Sequence, residues 1–347
     1  MKKPIAVLTS DVHYSLPNLK LADAAMRMAI AKANELDVPL IVAGDLHDTK
    51  ANLRGECVNA ILETLKPNRR SPIIILRGNH DAINEKSTEH SLNFLEYDYD
   101  TIEVRHVVTK PENMADIMGV WSPHYIYLIP YYHDANELRA YLKTVPKGST
   151  LIMHQGLQSS NAGEYFQDKS AINPEDVAGF RVISGHYHAR QTIKLPNGGV
   201  WDYIGNPFTT SYGEANDPPK GFQILMEDGS LEFVPTNLRK HVVINWDADV
   251  TKHVPNWDRH AEDLIWVKVT ANRGRLLTVT KELASNCLGL AGLTFKLDLI
   301  PTESETTTPV KAKEKGELLD SLIDSLTNTT QDSKDRLKTL WRDLETK

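Results

Sequence analysis

Residues 72–81 read Pro72-Ile73-Ile74-Ile75-Leu76-Arg77-Gly78-Asn79-His80-Asp81, a short β-branched run broken by glycine and followed by an amide, an imidazole and a carboxylate. Such a run, bounded by Pro and Gly, predicts a buried strand over Pro72–Leu76 with a polar turn at its C-terminal end. The pattern repeats on both sides. Pro4–Leu8 is an expected strand leading into Asp11-Val12-His13, and Val38–Val42 one leading into Gly44-Asp45-Leu46-His47-Asp48. Farther on, Thr150–Met153 runs into His154-Gln155-Gly156, and Arg181–Ile183 into Gly185-His186-Tyr187-His188. A lone Asp-x-His after a strand is more often only a turn, whereas Gly-Asn-His-Asp is suggestive by itself because it crowds an imidazole with carboxylate and amide groups in one turn. Five such turns behind five strands are improbable by chance.

Helical patterns separate these strands. Asn18–Leu36 carries apolar positions at Leu21, Ala24, Ala25, Met28 and Ala29, and Leu53–Leu65 reads as a second helix. Ile126–Ile129 and Gly199–Tyr203 are further expected strands, and Phe222–Met226 with Leu231–Val234 forms a hairpin across Glu227-Asp228-Gly229-Ser230. The alternation predicts an α/β layered core, with ligands placed at the C-terminal ends of strands. From about Asn237 the pattern changes. Val242–Asn245, Leu264–Val269, the helical stretch Leu276–Ser285 and Leu293–Leu299 suggest a small strand–helix–strand unit, and the polar Thr302–Gly316 reads as a linker. Two short amphipathic helices follow. Leu318, Leu319, Leu322, Ile323 and Leu326 share one face, and Leu337, Leu340, Trp341 and Leu344 another.

The 347 residues are 41% apolar and 24% charged, which excludes wholesale disorder and allows two domains, or one with additions. No apolar run approaches the roughly 20 residues that span a bilayer. The opening MKKPIAVLTSDVH lacks the longer apolar stretch of a signal peptide, so a cytosolic protein is expected. Cys57 and Cys287 are the two cysteines, too few for a disulfide framework or a thiolate zinc cage. The net charge of −7 excludes nucleic-acid binding by a bulk basic surface.

The five turns together offer two Asp, one Asn and four His as metal ligands, plus one further His. That mixture of oxygen and imidazole nitrogen suits manganese, iron or zinc. His90, His106, His124, His133, His241, His253 and His260 are expected to be surface or core residues, and His47 stays open.

The series D-x-H, G-D-x-x-D, G-N-H-D, H-x-G, G-H-x-H resembles the calcineurin-like metallophosphoesterase superfamily over roughly residues 4 to 235. The resemblance implies an α/β (α+β layered) fold, a β-sandwich flanked by helices, with two metal ions sharing one carboxylate. Asp11, His13, Asp45 and His188 would hold one ion, and Asp45, Asn79, His154 and His186 the other. Two ions about 3.5–4 Å apart clamp a phosphate for in-line attack by water. It further implies that His80 is catalytic, stabilising the transition state and helping to protonate the leaving oxygen, with Asp81 orienting its ring. Asp48 would brace a ligand loop, and Arg77 and Tyr187 lie nearby without an assigned role.

Tyr203-Ile204-Gly205-Asn206-Pro207, with Asn216-Asp217-Pro218 and Lys220-Gly221-Phe222, is similar to the segment after G-H-x-H in SbcD-type DNA-repair nucleases. That is the meiotic-recombination nuclease family, and the versions encoded by large bacteriophages look most alike; Leu128-Ile129-Pro130 also looks similar to it. On this resemblance residues 1–236 form the nuclease domain, 237–301 a small α/β capping domain, 302–316 the linker and 317–347 a helical pair. That pair would dock on an SMC-like ATPase of SbcC type. The implied activity is manganese-dependent exonuclease action on duplex DNA from the 3′ side and endonuclease action on single strands or hairpins. Iron, zinc or magnesium are alternative cofactors. A homodimer through Leu53–Leu65 or Ser87–Leu95, and the host cytoplasm for a phage version, are further expectations. One departure stands out: archaeal and eukaryotic members carry a second active-site histidine where this chain has Asp48, as bacterial-type members do.

Two divalent ions would bring the charge of −7 to −3, and weak DNA binding by the isolated chain is expected. Lys50, Arg54, Arg69, Arg70 and Lys86 are candidate phosphate contacts, with solvated surface charge the default for each. Two rival readings stay open: a small-molecule phosphoesterase for cyclic nucleotides or nucleotide polyphosphates, and a DNA-tethering scaffold with little hydrolysis. The complete ligand set with His80 and Asp81 argues against the scaffold.

Overall fold

The computed structural model describes residues 2–50, 52–65, 71–84, 89–95, 105–118, 125–158, 160, 168, 170–251, 263–272, 274–276, 278–279, 294–301, 323–324, 330–331, 333–336 and 338–339. Successive side chains of a strand face opposite ways, and this sorts the core into three clusters. On β1 (Pro4–Thr9), Ala6 and Leu8 face one way and Val7 the other. The same split separates Ile41 from Leu40 and Val42 on β2 (Leu40–Val42), and Ile74 from Ile73 and Ile75 on β3 (Ile73–Leu76). Ala6, Leu8, Ile41 and Ile74 meet Leu128, Ile152 and Ile183 in a shared interior between two sheets.

The first sheet has the order β12-β11-β1-β2-β3-β4, with β4 at Arg105–Val108, β11 at Gly221–Met226 and β12 at Leu231–Pro235. The second has the order β5-β6-β7-β8-β10-β9. Its strands are Glu112–Asn113, Ile126–Ile129, Thr150–His154, Arg181–Gly185, Gln191–Lys194 and Val200–Tyr203, numbered β5 to β10 in chain order. β1, β2, β3 and β4 pair in parallel, as do β6, β7, β8 and β10, while β11 joins β1 antiparallel with Leu8 opposite Gln223. Outside the first sheet lie α1 (Leu19–Leu36) and α2 (Gly55–Leu65); outside the second lies α4 (Ala135–Leu142), and α3 (Met114–Met118) follows β5. The α/β layered sandwich flanked by helices that the sequence led us to expect is therefore the fold observed.

The expected buried face of α1 is corrected. Ala22, Ala25, Met26, Ala29, Ile30 and Ala33 are buried, while Met28 is exposed. The alanines alternate with Met26 and Ile30 on this face, small and large side chains filling the space against the sheet together. The helix stops at Asp37, which takes a left-handed conformation while its N–H bonds the Ala33 carbonyl.

The strands expected after Asn237 are present as β13 (His241–Asp247), β14 (Leu264–Ala271) and β15 (Thr294–Pro301), in a three-stranded sheet of that order. The linker, most of the Leu276–Ser285 stretch, both leucine faces except Ile323, and Arg69, Arg70 and Lys86 lie outside the described residues. Two compact units divide the chain. Met1–Asn245, Pro255–Lys268 and Leu288–Asp298 form one, and Trp246–Val254, Val269–Cys287 and Leu299–Lys347 the other. Both six-stranded sheets belong to the first. Among the described residues no helix is long and apolar enough to cross a membrane.

Candidate metal centre

All five motif turns leave the C-terminal ends of parallel strands, three from the first sheet and two from the second. They interlock through their backbones. Asp11 N–H donates to the Gly44 carbonyl at 3.1 Å, His13 N–H to Asp45 at 3.1 Å and Tyr14 N–H to Leu46 at 2.9 Å. Asp11, His13, Asp45 and His186 all adopt left-handed backbone, with φ of 52°, 48°, 53° and 88°. Such conformations cost on the order of 1 kcal/mol or more each and persist where surrounding contacts over-determine them. Gly78 is needed for close approach: a Cβ there would run into the Asp45 carboxylate and backbone.

The turns bring the predicted ligands together in two nests. In the outer one, Asp11, His13 and His188 offer ligand atoms within 4.8 Å of one another, and the His13 and His188 Nε2 atoms face each other at 3.1 Å. In the inner one, Asp45, His154 and His186 do the same. Here Asp45 Oδ2 is 3.2 Å from His154 Nε2, and Asn79 Oδ1 is 3.0 Å from His154 Nε2 and 2.8 Å from His186 Nδ1. Asp45 Oδ2 also stands 3.9 Å from His13 Nε2, between the nests.

The remaining ring nitrogens of His154, His186 and His188 are directed at protein acceptors, the arrangement that fixes a metal-binding imidazole, while that of His13 has a carboxylate nearby. His154 Nδ1 donates to the Ala43 carbonyl at 2.7 Å, and His13 Nδ1 lies 3.3 Å from the Asp48 carboxylate. His186 Nε2 meets Asp168 at 3.0 Å, and His188 Nδ1 meets Glu214 at 2.7 Å. Lone pairs therefore converge inward from oxygen and nitrogen alike. This donor set fits a pair of divalent cations.

Electrostatics agree. Burial alone would push the His13 imidazole down, yet the Asp48 carboxylate and the charges of Asp45 and Asp11 raise it to about 9. His154 is likewise opposed by burial and raised to about 9 by Asp45. Burial resists ionisation of Asp45, but His154 and His13 hold its carboxyl far below the ordinary range. Both shifts run in the direction that lets a proton take the place of a cation in each nest when no ion is bound.

His80 lines the groove over the nests, its ring edge-on to His13 at 4.8 Å. The expected partner of its ring is corrected. His80 Nδ1 meets the Asp48 carbonyl at 2.6 Å, while Asp81 is fully buried and accepts N–H bonds from Asp45, His47 and Gly78 at 2.9, 3.1 and 2.8 Å. Asp81 closes the turn Asn79–Asp81, and there its buried carboxylate gathers charge-assisted bonds from three backbone N–H groups. Asp81 thus ties the Asp45 turn to the Gly78 turn. Burial, with the Asp45 charge beside it, lifts its carboxyl to about 6. His47 is buried away from both nests, and its Nδ1 accepts from Thr49 N–H at 3.2 Å. Arg77 donates to the Tyr131 carbonyl at 2.7 Å, and Arg54 pairs with Glu56 at 3.5 Å.

Asp168 and Glu214 were not singled out from sequence. Asp168 lies in no helix or strand and Glu214 closes the short 3-10 helix Tyr212–Glu214, 18 and 26 residues from the imidazoles they hold. Burial resists the ionisation of each, but His186 holds Asp168 down at about 2, and His188 with Lys220 holds Glu214 well below the ordinary range.

A β-sandwich with two imidazole–carboxylate nests at its strand ends defines a metal-dependent phosphoesterase. The chain belongs to the calcineurin-like phosphoesterase family, which it matches over residues 6–190, more than half its length. No curated protein matches the sequence. Among solved structures, a dimetal phosphatase from Danio rerio is similar at a TM-score of 0.44 and 11% identity, over 68% of this chain and 98% of that one. The Pseudomonas putida nuclease MPE is similar at 0.31 and 14%, over 66% and 87%. A 5′-nucleotidase precursor from Thermus thermophilus gives 0.32 and 12%, over 58% and 48%.

Proposed function

We propose that the protein is a two-metal DNA exonuclease and endonuclease of the SbcD type. The observation that carries this reading is the form of the groove. His13, Asn18, Asp45, Asp48, Asn79, His80, His186, His188 and Thr210 line about 410 Å³ that is half open to solvent. Small-molecule sites are usually enclosed and largely apolar, whereas an open polar trough suits a phosphodiester strand laid across both nests. The segment that resembles SbcD-type nucleases supports the reading too, since its Asn206 and Lys220 side chains hold Glu214, the brace of His188.

Ions held by Asp11, His13, Asp45 and His188, and by Asp45, Asn79, His154 and His186, would draw charge from the phosphate and lower the pKa of bound water. The protein's own groups do the rest. Asp45 and Asn79 align the nests, and Asp48 fixes His80 by accepting from Nδ1, which leaves Nε2 to exchange a proton with the leaving oxygen. The 237–301 segment would cap the substrate, and 317–347 would engage an SMC-like ATPase, with DNA as the shared ligand.

The test is manganese-dependent digestion of linear duplex DNA and of a single-stranded hairpin, with a phosphodiester dye ester alongside, by the full chain and by His80→Ala. DNA cleavage that H80A lowers by about 100-fold or more while both ions stay bound is the expected result. Cleavage of the dye ester but of neither DNA, repeated with the ATPase partner present, would favour a small-molecule phosphoesterase instead.

A further inference from the structure

His186 is held by an extended set of side chains. Its ring is flanked by Tyr187, stacked at 5.1 Å, and by Tyr131 at 5.6 Å. Asp168 closes the arrangement through Oδ2, 3.0 Å from His186 Nε2, with the Tyr187 hydroxyl 3.5 Å from the same oxygen. The other carboxylate oxygen accepts Ser170 N–H at 2.9 Å and the Ser170 hydroxyl at 2.5 Å. That hydroxyl in turn accepts from the Tyr131 hydroxyl at 2.8 Å, and the Ser170 carbonyl accepts the Gln155 side-chain amide at 2.7 Å. Gly156 completes the set: a Cβ there would land on Asp168 Oδ2 and come within 2.8 Å of the Tyr187 hydroxyl.

We infer that Asp168 is the positioning residue of the inner nest, and that Gly156 ends the His154-Gln155-Gly156 motif because Asp168 occupies the space of its side chain. By accepting from Nε2, Asp168 fixes one tautomer of His186 and turns the Nδ1 lone pair toward Asn79 and the ion site. The outer nest has no contact with Asp168 among the described hydrogen bonds, so the effect is local to one ion. The inference rests on the metal-dependent reading of the site, and its test needs no substrate.

Manganese binding to the full chain is followed by titration calorimetry, with circular dichroism to verify folding. The wild type takes two ions. In Asp168→Ala the affinity for one ion falls about 10- to 100-fold while the other is retained. Asp168→Asn, which keeps shape and a neutral acceptor, loses less; it also decides the matter should D168A not fold. Gly156→Ala weakens the same ion although Asp168 is still present, and its effect shrinks in a D168A background. Nitrogen NMR of the zinc-loaded chain supplies a readout that general loosening would not move. His186 shows an Nε2–H in the wild type, and that proton signal is lost or mixed in D168A. Equal weakening of both ions, no weakening in folded D168A, or an unchanged His186 tautomer would overturn the inference. A wild-type chain that takes up no divalent ion would overturn the metal reading itself, and this inference with it.

Discussion

Asp45 stands between the two nests, which are anchored by different means. In the inner one, His154 is fully buried and bonded to a backbone carbonyl, and the turns carrying Asp45 and Asn79 are tied by Asp81 to three backbone N–H groups. In the outer one, the His188 side chain is 30% exposed and leans on Glu214, itself held by Asn206, Thr210 and Lys220. Backbone anchors move only with the fold. Side-chain anchors are screened by salt and shift with local motion. The inner ion is thus expected to be structural in its tenacity and the outer ion exchangeable.

Asp45→Asn attacks the carboxylate that stands between the nests. It is expected to lower phosphodiester turnover by about 1000-fold or more and to weaken both ions, as loss of several kcal/mol of transition-state stabilisation requires. Inner-ion affinity unchanged in D45N would break the shared-ligand picture. Asp81→Ala tests the backbone anchor. Three buried N–H groups lose their acceptor, so a loss of about 3 kcal/mol or more in unfolding free energy is expected, with faster amide exchange at Asp45, His47 and Gly78. Ordinary protection of those amides would argue that the turns hold without it.

Acidity separates the metal-free chain from the loaded one. His13 and His154 bind protons more tightly folded, at about 9, than at their ordinary 6.5. The stabilisation they give is complete below pH 6.5 and disappears as pH rises through 9. Asp81, raised to about 6, works in the same sense at lower pH, losing its contribution as it ionises. The melting temperature of chelator-treated protein should therefore fall from pH 6.5 to 9, whereas excess manganese should reduce or reverse that fall, because ions replace the protons. Parallel curves with and without metal would contradict it. The smallest effect belongs to Glu214→Gln, which keeps a neutral acceptor for His188. About a tenfold loss of outer-ion affinity, steeper in high salt, with the inner ion unaffected, would sharpen the contrast between the nests.

Strands buried on both faces announced themselves: every residue of Ile73–Leu76 is buried, and a continuous apolar run is how such a strand reads. Gln191–Lys194, at the edge of the second sheet, alternates half-buried Gln191 and Ile193 with exposed Thr192 and Lys194, and so short a run with one apolar residue left no such trace. The ligands were legible for a related reason. Each sits where a recognisable strand stops, so residue type and position reinforce one another. Their braces obey no local rule. Asp168 and Glu214 are chosen by contacts across the fold, and among 46 acidic residues nothing nearby distinguishes them. Asp81 was noticed as a member of its motif but given the wrong task, because proximity along the chain to His80 says nothing about which donors a buried carboxylate meets.

The seating of Gly221–Met226 beside Pro4–Thr9 has a consequence for synthesis. The earlier of these two strands, once it leaves the ribosome, keeps one of its edges unpaired until more than two hundred further residues have been made. An apolar strand with a bare edge invites pairing with other chains. Until the late hairpin arrives, each nascent polypeptide is an aggregation hazard to its neighbours on the same message. A chain cut short before residue 221 should therefore precipitate, even though every metal ligand named above is already present in it.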